Sequence, residues 1–292
     1  MHKYITLINI ALLLNAHADS FYINGASFDI EFVTIGNVGN APDLSTSAQA
    51  QYGWSSPAGV GRVDYVYRMA KYESGYLGQQ SGSWFSAAKL INDMNVSKGY
   101  QAAYKFDSSG NFQLWSSGEY SGNNQYRHKD AVYFLPSLDE FYKAAYYDPA
   151  KNNGLGGYWE YATASDSTPN PTSGGTDPYT AVWQKSGNAA DVKNAGGLSA
   201  YGTMGQDGNY QEWLESALNG VNNDPNATRD LRNGNWSNIH DAMGKSKRDA
   251  HNPYVGDNMW INFRVVSVPE PSALSLLAVG LGGLAMIRRR RS

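Results

Sequence analysis

Apolar and polar residues partly alternate from Phe28 to Ile35 and again from Val63 to Tyr72, the period-two pattern of strands with one buried face. The intervening stretch, Gly36 to Gly61, is rich in Gly, Ser, Ala and Asn and reads as a long loop. The period then changes. Phe85, Ala88, Leu90, Ile91 and Met94 recur at helical spacing between Trp84 and Met94, with Ser83 placed as an N-cap. Tyr100 to Trp115 predicts a hairpin, with Tyr104 and Phe106 on one arm and Phe112 and Leu114 on the other. Its turn, Asp107-Ser108-Ser109-Gly110-Asn111, resembles a calcium loop in composition, but turn chemistry explains it without an ion. After Pro136, Ser137 and Glu140 form a capping box, and Leu138, Phe141, Ala144 and Ala145 give the following helix a buried face as far as Tyr147-Asp148-Pro149. Lys151 to Asn223 reads mainly as loop, anchored at Tyr158, Trp159, Tyr161 and Trp183. Late strands are predicted at Arg229 to Trp236 and Met259 to Ser267.

Both ends carry apolar segments that do not belong to this pattern. His2 and Lys3 precede an apolar run from Ile5 to Leu14, and Ala16-His17-Ala18 supplies the small-x-small site of a secretory signal peptide. Cleavage after Ala18 starts the mature chain at Asp19. At the other end Pro269-Glu270-Pro271 precedes an apolar stretch, residues 273–287, and then Arg288, Arg289, Arg290, Arg291 and Ser292. An apolar stretch partitions into lipid and the arginine cluster stays cytoplasmic. This three-part tail resembles the PEP-CTERM sorting signal of Gram-negative bacteria. The resemblance implies an exosortase-type transpeptidase and the secretion machinery as partners. It further implies brief anchoring in the inner membrane, then delivery to the cell surface, outer envelope or extracellular matrix. The other reading is an ordinary tail anchor, only marginally long enough for ~30 Å of hydrocarbon.

Removing both ends leaves about 250 residues, enough for one large domain. The net charge is −3 with four arginines in the tail, so the remaining chain is more acidic, and no basic stripe interleaved with aromatics points to nucleic acid. Cysteine is absent, which removes thiolate nucleophiles, disulfides and soft-metal ligands. The 21 Tyr, 8 Trp and 31 Gly suit a loop-rich fold in which amphipathic rings pack under irregular backbone.

Five segments in order resemble the landmarks of the formylglycine-generating-enzyme, or sulfatase-modifying factor, domain: Tyr67 to Glu73, Phe134 to Phe141, Gly208-Asn209-Tyr210-Gln211-Glu212-Trp213, Leu231-Arg232-Asn233-Gly234-Asn235-Trp236 and Asn262-Phe263-Arg264-Val265. The resemblance covers roughly Phe28 to Val266, within a domain expected to span residues 19–267. It implies an α+β, irregular C-type-lectin-like fold, loop-rich with short twisted strands and two main helices. Catalytic members hold copper on two cysteines, and the matching positions here fall near Asn238 and Met243, so copper is not expected. A branch of the superfamily with an iron domain needs clustered histidines. His128, His240 and His251 are widely separated. In the family the Gly208 loop wraps calcium, which implies a structural ion on Asp207, Gly208, Tyr210 and Glu212; the alternative is a Glu that caps neighbouring amides. Arg232 and Arg264 read as guanidinium groups bonding the carbonyls of crowded loops.

The sequence therefore predicts an exported, non-catalytic domain that binds extracellular polysaccharide or an envelope protein, or serves as a structural component there. The alternative is an enzyme of non-thiol chemistry, using an oxygen-ligated metal or a carboxylate base in the ancestral cleft near Asn238, Met243 and Glu212.

Overall fold

The computed structural model describes residues 18–45, 54–55, 57–74, 82–184, 188–238, 240–256 and 260–268. Ala16, Pro269, Glu270, Pro271, the apolar run and Arg288 to Arg291 lie outside the described residues. The described chain is a mixed α/β structure with few helices, short strands in curled sheets and a large share of loop.

The first sheet has five strands in the order Ala18–Ile23, Ala26–Ile35, Tyr67–Ala70, Val266–Ser267 and Tyr133–Phe134, each antiparallel to its neighbour. The second has the order Ile261–Phe263, Gln211–Ala217, Arg229–Arg232, Lys247–His251 and Trp54–Ser55. Only its first pair is parallel. One apolar cluster joins the two sheets, running from Phe21, Phe32 and Met69 to Trp213, Leu231 and Phe263.

Two helices pack on these sheets. The first, Trp84–Ser97, starts where Ser83 Oγ accepts the Ser86 N–H, and it buries Trp84, Ala87, Ala88, Leu90, Ile91 and Met94. Asn95 is the one buried polar residue on that face. Its side chain donates to the Ile91 and Tyr133 carbonyls and accepts from the Val132 and Tyr133 amides, tying the helix to the first sheet. The second helix, Leu138–Tyr146, carries the expected capping box: Ser137 Oγ accepts from the Glu140 amide, and Glu140 Oε2 accepts from the Ser137 amide at 2.6 Å. Ser137→Ala should cost about 1 kcal/mol. In a domain this size that is a fall of about 2–4 °C in Tm, read by thermal denaturation.

Several expected elements change extent. The strand expected over Val63 to Tyr72 is confined to Tyr67–Ala70, because upstream the Val63 amide goes to Asn40 Oδ1 instead of a ladder partner. Arg229 to Trp236 ends at Arg232, stopped by positive φ at Asn233 and Gly234. Met259 to Ser267 divides into two strands, one in each sheet. The long stretch read as loop contains Gln211–Ala217, a central strand of the second sheet.

Where the chain passes from one sheet to the other stands Arg264, wholly buried. Nε and Nη2 donate to the two Glu212 oxygens at 3.0 and 2.9 Å, Nη1 donates to the Ala70 and Lys71 carbonyls, and Nη2 also donates to the Met204 carbonyl. All five N–H groups are satisfied, and they bridge both sheets.

The two ends of the described chain meet in the first sheet. Arg68 donates to both Asp19 oxygens at 3.0 and 2.7 Å and to Ser267 Oγ at 2.8 Å, while the Tyr133 hydroxyl donates to Asp19 Oδ2 at 2.7 Å. Ala18, at the expected signal cleavage site, opens the first strand and pairs with Glu31.

Candidate functional site

The second sheet forms the floor of a cleft of about 420 Å³. Along Lys247–His251 successive side chains alternate, so Lys247, Asp249 and His251 share one face; all three line the cleft, and Arg248 also borders it. Gln211 reaches over from its own strand and donates from Nε2 to Asp249 Oδ2 at 2.9 Å; Asp249 Oδ1 accepts from the Ala250 amide. The amide residues Asn233, Asn235 and Asn238 also line the cleft, as does Trp260, 41% exposed. Gln211 N–H donates to the Trp260 carbonyl, which fixes that segment to the edge of the sheet.

Asn238 is thus in the cleft. Its Oδ1 accepts the Asn235 amide at 2.7 Å and its carbonyl accepts the Gln184 amide at 2.8 Å. Met243, the second position matched to a catalytic cysteine, is elsewhere, buried in a small cluster with Ala181 and Trp183. The two positions do not share one wall.

The loop read as a calcium candidate is committed to protein donors. Asp207 Oδ2 accepts the Ala162 amide at 2.5 Å and Oδ1 accepts the Gly244 amide at 3.3 Å. Burial pushes the Asp207 carboxyl up to about 7, against the pull of those two amides. Glu212 faces Arg264 and accepts from Asn233 Nδ2 at 2.8 Å; burial raises its pKa, opposed by Arg264. Gly208 has φ +76°, and a Cβ there would lie 2.2 Å from the Val182 carbonyl oxygen, so only glycine fits. Asn209 follows, also at positive φ, and donates from Nδ2 to Glu73 Oε2 at 2.5 Å, while the Tyr210 amide donates to Glu73 Oε1 at 3.1 Å. The first cause of the raised Glu73 pKa is burial; the neighbouring Glu212 adds to it. Among the described residues, no group of three or more His, Asp and Glu is placed to hold a metal ion.

Glu73, Asp207 and Glu212, whose pKa values burial raises, lie shut inside the protein, and none lines the cleft. Of the three histidines among the described residues, only His251 lines it. His128 packs edge-on against Trp115 and His240 against Trp183. Arg232 lines the cleft floor and donates from Nη2 to the Lys245 carbonyl at 3.0 Å. Sequence reasoning passed over Lys247, Asp249 and Trp260, and weighed His251 only as a metal ligand. The signal was a period-two polar row on a strand whose other face offers only Ala250 as an apolar marker.

No curated protein matches the chain in sequence. Among solved structures it is similar to Treponema denticola variable protein 1, at 14% identity and a TM-score of 0.57, over 86% of this chain and 99% of that one. It is also similar to CarF, at 16% identity and a TM-score of 0.50, over 82% of this chain and 98% of that one. At these identities the likeness is one of fold. Among the described residues no helix is long and apolar enough to cross a membrane. Residues 267–291 match the PEP-CTERM protein-sorting motif, and the match begins at Ser267, inside the last strand of the first sheet. The chain therefore carries the C-terminal mark of an exported protein handled by exosortase.

Proposed function

We propose that residues 19–267 form a non-catalytic domain of the formylglycine-generating-enzyme, C-type-lectin-like type, delivered to the cell surface or extracellular matrix, where it binds polysaccharide through the cleft above the second sheet. The observation that carries this reading is the make-up of the cleft: Gln211, Asn235, Asn238 and Asp249 are planar hydrogen-bonding groups, and Trp260 offers an exposed ring beside them. Planar amides and carboxylates suit hydroxyl pairs, while an aromatic face suits the C–H side of a sugar ring. The volume is within the ~300–1,000 Å³ usual for small-ligand clefts. Copper has no thiolate to hold it in a chain without cysteine. Delivery to the exterior would bring such a cleft to matrix polysaccharide.

Full-length protein in detergent, applied to an array of bacterial exopolysaccharides, should retain at least one. Trp260→Ala should reduce that retention about fivefold or more, because ring stacking on an exposed aromatic is worth about 1 kcal/mol or more. If the wild type retains nothing, or Trp260→Ala binds as the wild type does, polysaccharide binding in this cleft is wrong.

A further inference from the structure

The chain enters and leaves the first sheet at one place. Arg68 holds the Asp19 carboxylate at 3.0 and 2.7 Å and reaches Ser267 Oγ at 2.8 Å from the same Nη2 atom, so the two ends of the described chain meet on one side chain. Val268, half-buried, is the last residue held there: its amide donates to the Val132 carbonyl at 3.0 Å. Beside it opens a hollow of about 200 Å³, lined by Val268 itself together with Tyr65, Ser121 and Lys129. Tyr65 is 40% exposed. Lys129 and its neighbour Asp130 are both exposed, so the rim carries charge of both signs.

We infer that, while the tail is uncut, the face around Val268 rests on the headgroup layer of the inner membrane. Pro269, Glu270, Pro271 and Ser272 alone separate Val268 from the apolar stretch that starts at Ala273. Five Cα steps of at most ~3.6 Å carry the chain no further than about 18 Å. Headgroups fill roughly 5–8 Å on each side of the bilayer, so Val268 stays within about 10–13 Å of their outer surface. A domain of about 250 residues has a radius of gyration of about 18 Å, so on that spacer it has no room to stand clear of the lipid. The arginine cluster stays cytoplasmic, which puts the domain on the opposite side of the membrane. The other apolar segment converges on the same spot, since only residues 15–17 separate the run Ile5 to Leu14 from Ala18, next to Asp19. Tyr65 and Lys129 suit that boundary: one is a ring with a polar tip, the other an apolar stem that carries its charge out to the headgroups. Because the rim mixes both signs, reach and not net charge sets the contact. It needs no ligand in the cleft, and it ends when the tail is cut.

The absence of cysteine allows a single thiol label to test this. Ser121→Cys, exposed on the rim of the hollow, would carry a nitrobenzoxadiazole dye. The labelled protein, exported with its tail intact in a host without exosortase, is purified and reconstituted in phosphatidylcholine vesicles that contain a headgroup nitroxide lipid. The expected result is that the nitroxide quenches the dye. Inserting about twenty Gly and Ser residues between Val268 and Pro269 should then reduce the quenching about twofold or more, because a flexible chain of that length spans roughly 25 Å. The insertion follows the last hydrogen-bonded residue and leaves the sheet intact. Absence of quenching with the native spacer overturns the inference. Equal quenching with and without the insertion overturns it too, because a contact set by reach cannot survive a spacer several times longer.

Discussion

Arg264→Ala should leave the protein without a cooperative unfolding transition at 25 °C. The substitution strands the Glu212 carboxylate in a site with no solvent contact and deprives the Ala70, Lys71 and Met204 carbonyls of their donors. Breaking a buried pair from one side costs about 3–5 kcal/mol. The orphaned carbonyls add to that, and the sum approaches the ~5–15 kcal/mol that holds a typical domain together. Arg264→Lys should be nearly as damaging, since an ammonium has three donors where five are used. The double variant Arg264→Met with Glu212→Leu should recover part of the loss, because the costly remnant is the unpaired charge. Urea denaturation followed by circular dichroism reads all three. An Arg264→Ala protein unfolding within about 1 kcal/mol of wild type would show that the sheet crossing is held by something else.

Stability should also fall as pH rises through the mildly acidic range. Burial holds the Asp207 carboxyl up to about 7 in the folded protein, against about 3.9 in an unfolded chain. Between those values the folded state keeps a proton that the unfolded state has released, so folding is favoured at the acid end and weakened by about 1.4 kcal/mol per pH unit as pH rises. Above about 7 this group contributes no further slope. Glu73 acts in the same direction from well above the ordinary carboxylate range, and Glu212, also raised, adds to it. Asp43 opposes them: burial raises it, but Lys245 and Ser45 outweigh burial and lower its pKa, so its contribution is lost only at the acid extreme. Urea midpoints should therefore be higher at pH 5 than at pH 8. Asp207→Asn should flatten the slope between pH 4 and 7 by about one proton. An unchanged slope in that variant would remove Asp207 as its source.

Both helices were legible because each repeats apolar residues at helical spacing behind a serine cap. Ser83 and Ser137 accept the hydrogen bonds their positions imply. The hairpin was legible from its turn. Asp107 Oδ1 accepts from the Ser109 and Asn111 amides, and Lys105–Phe106 pairs with Phe112–Gln113. Gln211–Ala217 was not legible. Nearly all of its side chains are buried, including Glu212 and Glu215, so no alternation survives. Those acids look like surface residues until their partners are known. Arg264 lies 52 positions from Glu212, and Arg127 approaches Glu215 at 3.5 Å from far upstream. The cleft was half legible: Asn238 was picked out through a family resemblance, but Lys247, Asp249, His251 and Trp260 converge only once the strands are in register.

The hold on Val266–Ser267 governs how the protein meets load. This two-residue strand is bonded along both edges, to Tyr67–Ala70 and to Tyr133–Phe134, and the Val268 amide adds a bond to the Val132 carbonyl just before Pro269. Tension arriving from the tail along the strand stresses the bonds on both edges in shear, together, so none can peel away singly. A cut anywhere beyond Val268 would cost the sheet none of these bonds.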